Sequence, residues 1–150
     1  MTVVPDTNVW IAWLRAGIAP GELEGGGRLD LFLTSMALQE LWAGAQTDSV
    51  SQTLTALGTL ARRHGRLLNP PTAAWIVSGQ VLAEIAAKRR LSAARLRVLR
   101  NNALLAATAV SYDAVVLTAN RKDFDLLSQF LDVRYQSLEP GPRISRISRG

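Results

Sequence analysis

The sequence of 150 residues contains no cysteine and only one histidine. Without cysteine, disulfide bonds and thiolate metal ligands are excluded, so packing alone must stabilise the fold. The single histidine, His64, follows two arginines near the end of a predicted helix, where cations are favourable, and we assign it no catalytic role. The absence of disulfides fits a reducing compartment, and we expect a cytoplasmic protein.

Long hydrophobic runs are also absent, because charged residues interrupt the apolar stretches well before they reach the length that crosses a bilayer. The amino terminus has no basic stretch followed by an apolar run and does not indicate a signal peptide. The sequence has neither a Gly-x-Ser-x-Gly motif nor a Walker-type phosphate loop. We therefore expect a soluble protein that has no membrane partner and no serine nucleophile of that type.

Basic residues outnumber acidic residues by 17 to 12, and they are clustered. Clustered arginine is the electrostatic footprint of a protein that binds a polyanion, most often nucleic acid. A solvated helix face and a frayed tail would explain the same residues, and charge alone does not separate the two interpretations. The last eight residues contain three arginines, and the main cluster consists of Lys88, Arg89, Arg90, Arg95, Arg97 and Arg100.

Strand-type and helix-type patterns alternate along the chain. The predicted strands are residues 2–5, 30–34, 66–69, 114–118 and 132–135, and the predicted helices are residues 9–14, 35–46, 50–64, 72–88, 93–112 and 124–130. This alternation predicts a three-layer α/β domain, with a central parallel sheet of four to five strands flanked by helices. We assign residues 1–138 to this domain and residues 139–150 to a basic, flexible tail.

Polar side chains follow two of the predicted strands. Asp6-Thr7-Asn8 comes directly after the first strand, and the segment from Thr118 to Asp123 begins where the strand at 114–118 ends. Binding sites in parallel sheets form at the carboxyl ends of strands, so both segments are candidates for chemistry. Glu40 adds a third carboxylate on an otherwise apolar helix.

Each acid also has a simple structural explanation. Asp6 is well placed to cap the first helix, and Asp123 is a first-turn acid of the kind that the helix dipole favours. Helix periodicity lets Glu40 face water. Four tryptophans lie among apolar neighbours at helix-type spacing, which favours core or interface packing over the stacking of RNA bases. Trp10 and Trp13 are three residues apart, and a dimer or antitoxin surface there is an open alternative.

Together with Asn101-Asn102-Ala-Leu-Leu-Ala-Ala-Thr-Ala, the motifs around Asp6, Glu40 and Thr118–Phe124 resemble the PIN-domain family. Within that family the chain is most similar to the VapC-type ribonuclease toxins of toxin–antitoxin pairs, over essentially its whole length. In the family, four acidic positions converge on one or two Mg²⁺ or Mn²⁺ ions. Three match here as Asp6, Glu40 and Asp123, and the fourth, normally aspartate, aligns with Asn102. The polar residues that support such a site match as Thr7, Thr118 and Asn120.

The resemblance implies a metal-dependent endoribonuclease, the toxin of a type II module, with Asp6, Glu40, Asp123 and Asn102 as its catalytic and metal-binding residues. It also implies RNA as the substrate, held by the cluster from Lys88 to Arg100, and a VapB-like antitoxin as the partner. Homodimers are common among such toxins. An amide oxygen can ligate a hard cation but carries no charge, so Asn102 would weaken metal binding. The alternative is a catalytically inactive PIN-fold module that binds RNA or a protein.

Overall fold

The computed structural model describes residues 1–17 and 29–138. The elements follow in the order β1 (Thr2–Pro5), α1 (Thr7–Arg15), β2 (Asp30–Leu31), β3 (Leu33–Thr34), α2 (Ser35–Ala43), α3 (Asp48–Arg63), β4 (Leu67–Leu68), α4 (Thr72–Arg89), α5 (Ala93–Ser111), β5 (Val115–Thr118), α6 (Arg121–Leu127) and β6 (Arg134–Ser137). The tail at 139–150 lies outside the described residues, so the domain boundary at residue 138 stays a prediction.

The central sheet has four parallel strands in the order β2-β1-β5-β6. This confirms the predicted parallel α/β fold. The first strand therefore pairs with a strand more than 100 residues later in the chain, and Pro5 lies opposite Leu117. The backbone N–H of Asp6 donates to the carbonyl of Leu117 at 2.8 Å, which extends the pairing by one residue. The chain leaves β1 towards β2 on one side, while β5 leads to β6 on the other. The strand order thus reverses between β1 and β5, the place where parallel sheets bind ligands.

One predicted strand, residues 30–34, is two strands in the structure. β2 pairs with β1, whereas β3 pairs with β4 in a separate two-stranded parallel sheet. The change of partner occurs at Phe32, whose N–H donates to the carbonyl of Val3 at 2.9 Å, while the next N–H, of Leu33, donates to Arg66 at 2.8 Å. The apolar run is continuous, so nothing local in the sequence marks this change.

Both faces of the central sheet are covered. Val3 and Leu117 point into one buried apolar cluster, which contains residues of α1, α2 and α3. Val4 and Val116 point into a second cluster, which contains residues of α4, α5 and α6. Because side chains alternate along a strand, neighbouring residues of β1 and β5 face opposite helical layers. The predicted three-layer arrangement follows directly.

The tryptophan pair of α1 lies in the first cluster, not on a surface. Trp10 and Trp13 are almost completely buried, and their rings meet edge to face with centroids 5.5 Å apart. The core interpretation is therefore confirmed for this pair, and the dimer or antitoxin surface there is wrong. Trp42 and Trp75, in contrast, are exposed.

Several predicted helix and strand ends are shifted. Thr34, not Ser35, caps α2, because its hydroxyl accepts a hydrogen bond from the N–H of Ala37 at 3.3 Å. Asn120 caps α6, which therefore begins at Arg121 instead of residue 124. The last strand is also displaced towards the carboxyl end of the chain. Ser92 caps α5, as predicted. Within the described ranges, no helix is both long enough and apolar enough to cross a membrane.

Two adjacent residues of α5 offer a test of this packing. Leu99 is fully buried in the second cluster, whereas the side chain of Val98 is 68% exposed. We expect Leu99→Ala to lower the free energy of unfolding by about 2–5 kcal/mol, since it leaves a cavity in the core. Val98→Ala should change that free energy by no more than about 0.5 kcal/mol. Urea denaturation followed by circular dichroism measures both, and similar values for the two variants would contradict this placement of α5.

Candidate active site

Asp6 lies at the carboxyl end of β1 and also caps α1. Its Oδ1 accepts a hydrogen bond from the N–H of Val9 at 3.0 Å, and its Oδ2 accepts one from the hydroxyl of Thr118 at 2.5 Å. The Thr118 hydroxyl in turn accepts from the N–H of Asn120 at 2.8 Å. The capping role and a role in a site therefore coexist, because the two bonds hold the carboxylate in one orientation. Asp6 is only 3% exposed.

A small cavity of about 50 Å³ lies beside this carboxylate. The cavity is bordered by the start of α1, by α2 and by the middle of α5. A single water needs about 10–15 Å³, so the cavity has room for a cation with a few waters. Its polar lining residues include Asp6, Thr7, Asn8, Glu40, Asn101 and Asn102. We call this cavity the acidic pocket.

The two carboxylates of the acidic pocket are held in an unfavourable environment. Burial raises the pKa of Asp6, although the hydrogen bonds from Thr118 and Val9 oppose this. Burial also raises the pKa of Glu40, and the negative charge of Asp6 raises it further, while hydrogen bonds with Thr7 and Asn101 lower it. Neither carboxylate forms an ion pair with a cationic side chain in the part of the chain that the structure describes. A cation in the pocket would relieve both effects.

Asp123 is as buried as Asp6, but its charge is already satisfied. The guanidinium of Arg95 donates to its Oδ1 at 2.5 Å, and the side-chain amides of Asn102 and Asn120 both donate to its Oδ2 at 2.9 Å. Asn120 also accepts a hydrogen bond from the backbone N–H of Asp123 at 3.3 Å, which completes the cap of α6. The expected position of Asp123 in the first turn of a helix is correct, and Asn120 caps that helix, while its supporting role in a metal site stays a prediction.

Asn102 connects these two groups of side chains, because it lines the acidic pocket and donates to Asp123. The structure therefore brings Asp6, Glu40 and Asn102 around one cavity, with Asp123 one hydrogen bond beyond it. Across residues 1–17 and 29–138, no three Asp, Glu, His or Cys side chains lie close enough together to hold a metal ion. The donor set that faces the cavity is two carboxylates with side-chain amides, and the assignment of metal ligands stays a prediction.

Two residues of α5 have roles that the sequence did not suggest. Arg95 was expected to contact RNA, but it forms the ion pair with Asp123. Asn101, quoted only as part of a motif, lines the pocket beside Glu40 and lowers the pKa of that carboxyl group. Arg95 precedes Asn102 by seven residues, or two helical turns, so the helical period places both on one face. This spacing was the feature of the sequence that could have indicated that Arg95 and Asn102 contact the same group.

The other basic residues of the cluster from Lys88 to Arg100 fall into two groups. Arg97 and Arg100 are exposed on α5, and Arg97 lies one helical turn before Asn101, which lines the acidic pocket. The other group, Lys88–Arg90, ends α4, where Lys88 pairs with Glu84 at 2.8 Å. His64 is an exposed residue at the end of α3, consistent with the absence of a catalytic role.

The raised pKa of Glu40 predicts a pH-dependent effect on stability. A raised folded-state pKa means that the protonated form stabilises the fold, a contribution fully present below the unfolded pKa and lost as pH rises through the folded pKa. Glu40→Gln should therefore stabilise the metal-free protein at neutral pH, by at most about 1 kcal/mol because solvent screens a half-buried group. The gain should vanish in acid. Urea unfolding across this pH range measures it.

Glu84→Gln is the matched control, since it removes the same charge from an exposed position of α4. This control should give no stabilisation at neutral pH. If the difference in free energy of unfolding between Glu40→Gln and the original chain were the same at every pH, the unfavourable environment described for Glu40 would be contradicted.

Solved structures with the same fold include chains of toxin–antitoxin complexes. A chain of VapBC2 from Rickettsia felis, bound to a promoter DNA fragment, matches with 15% identity and a TM-score of 0.66, over 93% of this chain and 100% of that chain. A chain of VapBC-1 from nontypeable Haemophilus influenzae matches with 19% identity and a TM-score of 0.65, over 91% and 98%. DNA-bound VapBC from Salmonella typhimurium matches with 22% identity and a TM-score of 0.62, over 91% and 98%.

These identities are low, so the structural similarity establishes a shared fold. No curated protein matches the sequence. The family model described as PIN domain matches residues 3–128, which reach from the second residue of β1 to the end of α6 and include all the residues of the acidic pocket. The chain therefore belongs to the PIN-domain family.

Proposed function

We propose that the protein is a VapC-type toxin of a type II toxin–antitoxin module, and that it is a metal-dependent endoribonuclease. The observation that carries this proposal is a pair of carboxylates, the buried Asp6 and the half-buried Glu40, in one pocket at the point where the strand order reverses. Membership of the PIN-domain family supports a nuclease-type module. The fold shared with chains of VapBC structures supports the toxin–antitoxin setting.

The donor set of the acidic pocket fits Mg²⁺ or Mn²⁺. Carboxylate and amide oxygens are the ligands of these hard cations, and neither Asp6 nor Glu40 forms an ion pair with a cationic side chain among the described residues. Asp6 and Glu40 would hold the ion, and the amide of Asn102 also borders the cavity. Asp123, the third acid of the proposed catalytic set, is not among the residues that line the cavity and accepts hydrogen bonds from Arg95, Asn102 and Asn120.

The bound ion would supply an acidified water and would offset charge on the phosphate during hydrolysis. The chain itself positions the groups around that ion. Thr118 fixes the orientation of Asp6, and Thr7 and Asn101 line the pocket beside Glu40 and lower its pKa. Asn120 fixes Asp123 through two hydrogen bonds. These restraints reduce the reorganisation needed when a phosphodiester binds.

RNA is the proposed polyanion. Arg97 and Arg100 are exposed on the helix that supplies Asn101 to the pocket, so their charges can contact phosphates next to the site of cleavage. We extend the phosphate-binding surface to Lys88, Arg89 and Arg90 at the end of α4, as the charge pattern suggests. Arg95 contributes less, because Asp123 already offsets its charge.

The proposed protein partner is a VapB-like antitoxin, and we also propose a homodimer. Trp75 and Ile76 of α4 and Val98 of α5 are large apolar side chains that are more than half exposed, which supports contact with another protein. A monomeric mass by light scattering at working concentrations would argue against the homodimer.

The absence of cysteine supports a cytoplasmic location.

A second candidate function, a catalytically inactive PIN-fold module that binds RNA or protein, is favoured by one observation. Two of the four family positions, Asn102 and Asp123, are bonded to each other here, and Arg95 offsets the charge of Asp123. The same variants separate the two candidates, because an inactive module would bind RNA without cleaving it.

Asp6→Asn tests the nuclease. Asparagine is a good helix cap, so the fold should persist while one of the two charges that attract the cation is lost. We expect RNA cleavage to fall on the order of 100-fold or more, the typical cost of removing one electrostatic group from an active site. Asp132→Asn removes the same charge from an exposed loop and should cleave normally. A folded Asp6→Asn variant with undiminished cleavage would exclude this centre.

Arg97→Gln with Arg100→Gln tests the RNA surface, with Asp6→Asn also present so that the RNA stays intact. Losing two phosphate contacts should weaken binding and reduce the slope of log K against log salt by about 1.4 for a single strand. Fluorescence anisotropy with labelled RNA measures both quantities. Arg62→Gln with Arg63→Gln, an equal change of charge at the end of α3, is the control. The surface is misplaced if the control weakens binding as much.

A further inference from the structure

The three acids of this site differ in one respect that their burial does not explain. Asp6 and Asp123 are equally buried, yet only Asp123 has a cationic partner. Its Oδ1 is 2.5 Å from the guanidinium of Arg95, whose own side chain is 30% exposed. Its Oδ2 accepts from two amides at 2.9 Å. A carboxylate with this set of donors is fully compensated without a metal ion.

The net charge of the acidic pocket differs from that of the surroundings of Asp123. Asp6, Glu40 and Asp123 carry three negative charges when ionised, and Arg95 offsets one of them. The two that remain belong to Asp6 and Glu40, whose pocket holds no cationic side chain among the residues that the structure describes. One divalent cation would balance those two charges completely. A second divalent ion would have to displace Arg95 from a carboxylate that is 97% buried, and breaking such a pair leaves a charge unpaired.

We propose that Arg95 is a built-in cation that takes the place of a second metal ion at Asp123, so that this chain binds a single divalent cation, at Asp6 and Glu40. Asn102 is part of the same arrangement. An aspartate at position 102 would set a second carboxylate against Asp123, whereas the asparagine amide donates to it. Arg95 and Asn102 lie two turns apart on one face of α5, and together they engage both oxygens of the same carboxylate. The single ion rests on the proposed function, but the role of Arg95 does not.

Calorimetric titration with Mn²⁺ tests this proposal on the full chain, without any measurement of cleavage. The original chain should bind one ion. Asp123→Asn should leave its affinity within about twofold, whereas Asp6→Asn should weaken it by about tenfold or more, the usual scale for a lost metal contact. Circular dichroism checks the fold of each variant. An Asp123→Asn variant that loses as much affinity as Asp6→Asn would overturn the proposal, because Asp123 would then be a ligand.

Removing Arg95 should uncover the second site. We expect Arg95→Met to bind Mn²⁺ more tightly or to bind a second ion, and we expect Arg95→Met with Asn102→Asp to bind two ions. Arg95→Met with Asp123→Asn removes both charges of the buried pair. This double variant should therefore fold even if Arg95→Met alone unfolds, because no unpaired charge stays buried. It should bind one ion. One ion of unchanged affinity in folded Arg95→Met and in the variant with Asn102→Asp would overturn the proposal.

The two proposals fail in different ways. If the original chain binds no Mn²⁺ but the variants without Arg95 do, the metal site at Asp6 and Glu40 is refuted and the role of Arg95 is supported. If the original chain binds one ion that depends equally on Asp6, Glu40 and Asp123, the role of Arg95 is refuted and the proposed nuclease site stands.

Discussion

The parallel pairing of β1 with β5 is the constraint on which the whole site depends. It places Asp6 next to Thr118, although 112 positions separate them, and their hydrogen bond crosses the point where the strand order reverses. Two helices begin at this edge, α1 after Asp6 and α6 after Asn120, and they leave towards opposite faces of the sheet. The space between their first turns is where α2 and α5 contribute polar side chains. Without this pairing, the carboxylates would have no common pocket.

Two of the three acids in the site have an unfavourable electrostatic environment, and the third has a favourable one. Asp6 and Glu40 form no ion pair with a cationic side chain among the described residues, and burial raises the pKa of both carboxyl groups. Asp123 is equally buried but is stabilised by Arg95 and two amides. Proteins commonly tolerate unfavourable local arrangements where they serve a function. By this criterion, the acidic pocket is the part of the site to which the proposed function assigns the metal ion, and Arg95 and the two amides stabilise Asp123 beside it.

Asn102 illustrates how the meaning of a residue depends on its neighbours. In the sequence, the resemblance to the PIN-domain family aligns it with a position that is normally aspartate. In the fold, its amide is a hydrogen-bond donor to Asp123 and a wall of the acidic pocket. The exchange of an acceptor for a donor is what allows Asp123 to be bonded from both sides by α5. Arg95 supplies the other contact from the same helix. Asn102 and the ion pair of Arg95 with Asp123 therefore belong to one local arrangement.

Local sequence patterns were sufficient to predict the alternation of strands and helices, the caps at Asp6 and Ser92, and the polar residues after β1 and β5. These features depend only on side-chain periodicity and on capping within a few residues. The parallel order of the sheet followed from that alternation. Other features depended on contacts between distant segments. The division of residues 30–34 between two sheets is one, because both halves are equally apolar and only their partners, Val3 and Arg66, differ. The pairing of Asp123 with Arg95 is another, since an arginine in a basic cluster carries no local mark of its partner, and the packing of α5 against α6 selects it.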